Sequence, residues 1–579
     1  MLKILKSYLK PYMLSFIGVI IFQVLQASIL LYLPTLNAEI IDNGVITGNI
    51  DYIWNHSWLM MIIVIGQIIF STLAKFFGTK VSLAIERDVR MDLYSRIQDF
   101  SVQESNKFGV STLITRATND IQQFTLVLSL ILTIIVNIPI MFVGGITMAL
   151  LENIKLSVVV IASFPIIILI SIIFNRKINP LFESLQKQID RITEILRDQI
   201  TGVKVVKAFV KESTERKRFS KVNLDLYDLN IATGRLLAII FPTFMFIANL
   251  SILGIMWYGG ILVYQGDMQI GGITAFIIYM SYIMTAILMA ATFFGVLTRG
   301  EVSAKRILEV LNAKTTIYSP KNPVVIKNPK GLIEFKGVDF SYLPINENVE
   351  PILKQINFTA QPGETTAIIG STGSGKSTLL QLIPRLYDVT EGIVSFDGIN
   401  IRKMSIDDLN SYISIIPQKS FLFSGTIADN LRLSKSDASD EELWKVLKIA
   451  QVNNFINNLK DGLESEVVQG GSNFSGGQRQ RITIARALLR DSKVLIFDDS
   501  FSALDYTTDV NLRKALAQNI KDSTIIIVDQ RISTIRNADK ILVMDNGKII
   551  GSGKHDELFE KCRIYKEIVN SQLNIEEDL

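Results

Sequence analysis

At 579 residues the chain exceeds what one hydrophobic core can organise, so two to four domains are expected. It is 49% hydrophobic and 20% charged, and its net charge of +4 is too small to point to nucleic acid as a partner. The single cysteine, Cys562, excludes an internal disulfide and fits a reducing interior, while only two histidines, His56 and His555, leave no His-based metal site.

The first half carries six long stretches without a charge: 13–38, 57–74, 124–151, 156–175, 236–266 and 268–298. A helix needs roughly 20 apolar residues to cross the hydrocarbon core, so these predict six transmembrane helices, with spans near 13–38, 57–77, 124–150, 156–176, 236–263 and 271–298. The first is too long for a cleaved signal peptide and runs into the polar "PTLNAEIIDNG". Six basic residues lie between Lys80 and Arg116 and thirteen between Arg176 and Arg235, against one, Lys155, in the short loops at 39–56, 152–155 and 267. By the positive-inside rule both termini and both long connections are cytoplasmic.

In the second connection Leu181, Leu185, Ile189, Ile192, Ile195 or Leu196, and Ile200 recur at helical spacing. This predicts an amphipathic helix continuous with its spans, so that the membrane helices extend well into the cytoplasm. Within the spans Gln23, Gln26, Gln67, Asn137 and Asn249 could line a cavity or bond helix to helix. Lys75, at the end of the second span, snorkels.

The composition changes after Arg306. A proline-bearing linker at 311–331 separates a membrane domain, 1–310, from a soluble α/β domain, 332–575. In that domain "GSTGSGKST", Gly370, Ser371, Thr372, Gly373, Ser374, Gly375, Lys376, Ser377 and Thr378, is a complete P-loop between the strand "TTAIIG" and the helical "TLLQLIPRLY". Backbone N–H groups of such a loop cradle phosphates, Lys376 can neutralise β- and γ-oxygens, and the Ser377 hydroxyl can bind Mg²⁺. ATP and Mg²⁺ are therefore the expected ligands. "KVLIFDDSFSALD", 493–505, is a buried strand ending in Asp498 and Asp499, and Asp498 reads as the acid that orients Mg²⁺.

"NFSGGQRQRITIARALL", from Asn473, carries the most specific motif. Here the chain resembles the ATP-binding cassette (ABC) transporters, whose signature is Ser475, Gly476, Gly477 and Gln478. "EIIDNGV", "LITRATNDIQQ" and "GVKVVKAF" in the membrane half are similar to those of the exporter type. The resemblance implies an α-helical membrane domain of six long helices joined to an α/β P-loop ATP-binding cassette. It further implies that Tyr342 stacks on adenine, that Gln418 links Mg²⁺ to the membrane domain, and that Ser502–Asp505 is the D-loop. Such proteins pair two cassettes head to tail, each ATP lying between the P-loop of one and the signature of the other. One cassette and six spans are half the usual complement, so the chain must dimerise.

Against that family the catalytic positions depart. Glutamate is the family's residue beside the magnesium-orienting aspartate and histidine its residue after the next strand; here they are Asp499 and Gln530. Aspartate is one methylene shorter, so its carboxylate falls short of the attacking water by more than ~1 Å, a misplacement that can cost ~10²-fold. Glutamine can hydrogen-bond a phosphate but cannot take up a proton or a positive charge. With every ATP-binding group and the signature retained, this implies a slow site of its own and a fast site completed with a related partner that holds Glu and His. The expected protein is thus one half of a heterodimeric exporter of hydrophobic or amphipathic compounds, drugs or lipids, in a bacterial plasma membrane. A homodimeric lipid flippase with slow hydrolysis and an ATP-gated channel are the alternatives.

Overall fold

The computed structural model describes residues 1–342 and 350–577. Two compact units emerge, Met1–Gln98 with Ser111–Ala313, and Asp99–Val110 with Lys314–Leu579.

The first unit is helical, and among the described residues six helices are long and apolar enough to cross a membrane. Its main helices are α1 (Met13–Ile40), α2 (Ile50–Gln98), α4 (Ile121–Ile134) followed by α5 (Asn137–Glu152), α6 (Ile154–Thr201), α7 (Glu212–Tyr264) and α8 (Ile270–Leu311). The label α3 belongs to Val102–Phe108 in the second unit. The helices α2, α6 and α7 have 49, 48 and 53 residues. At 1.5 Å per residue each is about 70–80 Å long, more than twice the ~30 Å hydrocarbon core. The expected continuity between span and connection therefore holds.

The inward stripe of α6 differs in detail from its apolar pattern. Ile195 is buried and Leu196 exposed, and Ile189 and Ile200 also face outward. Gln188 and Gln199 take the inward places, where their side-chain amides donate to the backbone carbonyls of Val222 (3.1 Å) and Glu215 (3.4 Å) on α7. A helix stripe follows geometry at 3.6 residues per turn, and a glutamine that satisfies a neighbouring carbonyl can occupy it as well as a leucine.

Two of the polar groups in the spans serve the backbone. Gln23, 1% exposed, donates to the Leu132 carbonyl, and Asn137 donates to the Thr133 carbonyl at 3.2 Å. Both carbonyls lie in the last turn of α4, which ends at Ile134 before α5 begins at Asn137, and the last four carbonyls of a helix have no intrahelical donor. In lipid a freed carbonyl must find a donor within the protein.

Two π-helical turns, Ile41–Val45 and Arg116–Asp120, interrupt the first and third spans. Each re-aims an acid onto α8: Asp42 Oδ1 accepts the Gly271 N–H at 2.6 Å, and Asp120 Oδ1 accepts the Ser303 hydroxyl at 3.0 Å. The first contact also places a carboxylate at the N-terminus of α8, where the helix dipole favours it.

The second unit is α/β. Strands β1 (Ile333–Phe340), β2 (Leu353–Ala360), β4 (Glu391–Phe396) and β5 (Ile399–Asn400) form an antiparallel sheet in the order β2-β1-β4-β5. A six-stranded sheet contains β3 (Thr365–Gly370), β6 (Ile413–Ile416), β9 (Val494–Asp498), β10 (Thr524–Val528), β11 (Lys540–Asp545) and β12 (Lys548–Gly553), in the order β12-β11-β3-β10-β9-β6. A minor pair joins β7 (Gly425–Thr426) to β8 (Glu466–Val467). Within the six-stranded sheet β11, β3, β10, β9 and β6 run parallel. That arrangement explains the continuous apolar runs "TTAIIG", "VLIF" and "TIIIV", since a covered parallel strand buries both faces. The segment 99–110 belongs to this unit: Glu104 Oε1 accepts the Thr316 N–H at 3.2 Å, and Asn106 Nδ2 donates to Tyr387 Oη at 3.2 Å.

Candidate functional site

Sheet register builds the site. Val528 lies opposite both Ile368 on β3 and Asp498 on β9, so three adjacent parallel strands end together. Their carboxyl ends deliver the P-loop, the two acids and Gln530 to one cleft, the usual place for ligands on such a sheet. The cleft is a cavity of about 260 Å³, lined by Thr372, Gly373, Gly375, Lys376, Ser377, Thr378, Gln418, Asp498, Asp499 and Gln530 together with Ile352 and Val528.

Inside it the polar groups are paired. The Ser377 hydroxyl donates to Asp498 Oδ1 at 3.1 Å, and Gln418 Nε2 donates to Asp499 Oδ2 at 2.9 Å. The Lys376 ammonium donates to the Gly370 and Ser371 carbonyls at 2.9 and 2.8 Å, which folds it over its own loop. Burial pushes the Asp498 carboxyl above the usual range, with Asp499 adding to the shift and Ser377 and Lys376 opposing it. Burial pushes Lys376 below the usual lysine range, against the attraction of Asp499 and Asp498. Asp499 has φ +48°, in the left-handed region that Asp tolerates better than most residues.

The donor set suits a hard divalent cation held partly by phosphates. Ser377 and Gln418 supply neutral oxygens and Asp498 a carboxylate, and Mg²⁺ is commonly held by one or two carboxylates plus substrate oxygens. Among the described residues there is no cluster of three or more His, Cys, Asp or Glu able to hold a metal without a substrate. The loop is open at Gly373, where an added Cβ would meet nothing within 4 Å. The buried Ser374 hydroxyl has no partner among the described residues.

At the foot of the loop Gly375 caps the helix α9 (Lys376–Leu382) with φ +97°, and a Cβ there would sit 2.7 Å from Leu353 Cδ2. Gly375→Ala is therefore expected to cost about 1–2 kcal/mol in backbone strain. Thermal melting of the purified chain should show the loss, together with weaker ATP binding.

The remaining sequence-predicted residues lie outside the cavity lining. Tyr342 is exposed; its ring meets Phe340 edge-on at 4.9 Å and its hydroxyl lies 3.1 Å from Thr378 Oγ1. Ser475 caps the helix α10 (Gly476–Leu488) in a capping box: its Oγ accepts the Gln478 N–H at 3.3 Å, and Gln478 Oε1 accepts the Ser475 N–H at 2.8 Å. Gly476 has open space at its Cβ position, whereas a Cβ on Gly477 would lie 3.2 Å from the Ala503 carbonyl. Asp505 caps α11 (Tyr506–Asn519) by accepting the Thr508 N–H at 2.9 Å, and that backbone bond holds its carboxyl below the ordinary value.

Three residues escaped the sequence reading. Ile352 and Val528 line the cavity as apolar positions with no motif to mark them. Asp529, 1% exposed, is not among the residues lining the cavity, and its Oδ1 accepts the Arg531 N–H at 2.8 Å; its signal was a charged residue at the end of an apolar strand.

The chain matches the family described as ABC transporter transmembrane region over residues 16–287, and the family described as ABC transporter over residues 353–502. It is 40% identical over 576 residues to an uncharacterized ABC transporter ATP-binding protein of Mycobacterium tuberculosis, covering 99% of this chain and 98% of that protein. A Staphylococcus aureus protein whose name assigns it to multidrug export is 31% identical over 583 residues, covering 99% of this chain and 100% of its own. Among solved structures, a bacterial Atm1-family ABC exporter with ATP bound shares the fold with a TM-score of 0.79 and 23% identity, covering 96% of this chain and 98% of that one.

Proposed function

Because the chain belongs to the ABC transporter family, with an exporter-type membrane domain fused to an ABC ATPase, we propose that it is the slow-site half of a heterodimeric exporter. ABC exporters act as dimers on membrane-associated substrates, and this chain is an ATP-driven translocase of that kind. The finer reading rests on one observation. Asp499 and Gln530 line the same cavity as an otherwise complete set of P-loop groups.

In this reading the P-loop N–H groups and Lys376 hold the phosphates, Ser377, Asp498 and Gln418 hold Mg²⁺, and Tyr342 stacks on adenine. Mg²⁺, when bound, neutralises the phosphate charge. Asp499 is placed to bind water but stops about one methylene short of activating it. Gln530 reaches the γ-phosphate as a neutral donor. The signature, Ser475 to Gln478, presents the N-terminus of α10 to the ATP on the partner's P-loop, and Asp505 belongs to the D-loop beside it.

Both termini and the cassette face the cytoplasm, where the basic residues between Lys80 and Arg116 and between Arg176 and Arg235 are concentrated. The uncharged spans suit hydrophobic or amphipathic cargo, drugs or lipids, and the multidrug-export name of the Staphylococcus relative agrees with that class.

Purified alone, the chain would place two slow sites in a homodimer, so its ATPase should be weak. Co-expression with a related half-transporter that carries Glu and His at the positions of Asp499 and Gln530 should raise the rate by about 10²-fold. Full activity from the single chain would replace this reading with a homodimeric exporter.

A further inference from the structure

The C-terminal helix α12 (Arg563–Glu577) reaches back to the segment that carries Gln530. Tyr565 and Val569 on its inner face are buried in one cluster with Ile532 and Ile535. At helical spacing the next residue on that face is Gln572, a polar group where the pattern calls for an apolar one. Gln572 Nε2 donates to the Gln530 carbonyl at 2.7 Å, and Gln572 Oε1 accepts the Ile532 N–H at 2.8 Å. The two bonds fix the amide's orientation, because only one of its ends can donate.

Among the described residues neither group it satisfies has another backbone partner. Strand β10 ends at Val528, so the Gln530 carbonyl lies beyond the ladder. Ile532 opens the short helix Ile532–Ile535, whose first N–H groups have no intrahelical acceptor. The same segment is held on its other sides by Asp529 Oδ1, which accepts the Arg531 N–H, and by Arg513, which donates to the Ser533 carbonyl at 2.7 Å. Gln572 alone among these bonds Gln530 itself, and Gln530 is one of the residues lining the cavity.

We infer that Gln572 is a positioning residue for the γ-phosphate side of the ATP site, making the docking of α12 part of how this chain tells ATP from ADP. The inference rests on Gln530 being the γ-phosphate contact. Gln530 can discriminate only if its backbone is held while the side chain bonds, since a mobile segment would lose that bond's free energy to ordering. ADP has no γ-phosphate, so releasing the clamp should leave ADP binding almost unchanged.

The test is photolabelling of the full-length chain in its membrane complex with 8-azido-ATP and Mg²⁺, which marks the chain that holds the adenine, competed by ATP or by ADP. Gln572→Met keeps the length and apolar packing but removes both bonds. It should weaken competition by ATP about 3- to 10-fold, the value of roughly one hydrogen bond, with ADP changed less than about 2-fold. Gln530→Ala should do the same, and the double variant should be no worse than Gln530→Ala alone, because both act through one contact. Gln572→Glu, which keeps the acceptor for Ile532 but loses the donor for Gln530, should move in the same direction and serves if the methionine variant does not accumulate. Equal loss of ATP and ADP competition, no loss, or additive effects in the double variant would overturn the clamp. If Gln530→Ala itself left the ATP to ADP ratio unchanged, the γ-phosphate role of Gln530 would fall and the clamp with it.

Discussion

Gly477→Asp should reduce ATPase and transport of the assembled complex by at least about 10²–10³-fold at saturating ATP, whereas Lys376→Ala should leave a substantial fraction of both. The two changes sit on one cassette but serve different ATP molecules. Lys376 lies in the cavity with Asp499 and Gln530, the site proposed to turn over rarely, and losing its charge weakens phosphate binding there. Gly477 belongs to the surface proposed to close on the partner's ATP, where electrostatic stabilisation is worth about 10²–10³ per donor and a carboxylate would oppose the γ-phosphate directly. The structure supplies a control. A Cβ at Gly477 would lie 3.2 Å from the Ala503 carbonyl, so part of the loss could be steric. Gly477→Ala carries the same Cβ without the charge and should retain much more activity. ATPase and dye efflux, measured side by side for the three complexes, decide the matter. A deadlier Lys376→Ala would reverse the assignment of slow and fast sites.

The opposite result is expected from restoring the family residues. Asp499→Glu with Gln530→His should raise single-site turnover at this chain's own P-loop by about 10²-fold, within the 10²–10⁴ that a well-placed proton acceptor contributes. The measurement needs a complex whose partner glutamate has been disabled, so that only this site reports. One contact and one backbone angle bear on the size of the gain. The Gln418 amide holds Asp499 Oδ2 at 2.9 Å, and a longer carboxylate must keep or replace that bond. The backbone at φ +48° favours Asp over Glu, so up to about 1–2 kcal/mol of the benefit is offset by strain. No gain at all would mean that the partner's signature, rather than these two residues, limits the site.

Much of this protein is legible in its amino-acid sequence alone. Charge-free runs marked six spans because lipid admits only helices long enough to satisfy their own backbone. The P-loop and the strand "VLIFDD" were readable because phosphate binding demands glycines, a lysine and a hydroxyl at fixed local spacing. The signature was equally local, and Ser475 and Gln478 carry the capping-box pattern in their own spacing. The departures at Asp499 and Gln530 needed only a comparison of residue types.

What the sequence by itself determined, then, was the element types, the two halves of the chain and the chemistry of each local motif. These depend on neighbours within a few residues, where periodicity and turn chemistry act. The tertiary structure decided which distant groups meet. The order β3-β10-β9 is not the order of the chain, and only that pairing brings Lys376, Asp498 and Gln530 to one cleft. Gln23 pairs with Leu132 across 109 positions, and Gln572 with Gln530 across 42. Nothing near either glutamine in the sequence announces its partner, because a hydrogen bond depends on distance in space, and packing of apolar faces sets that distance.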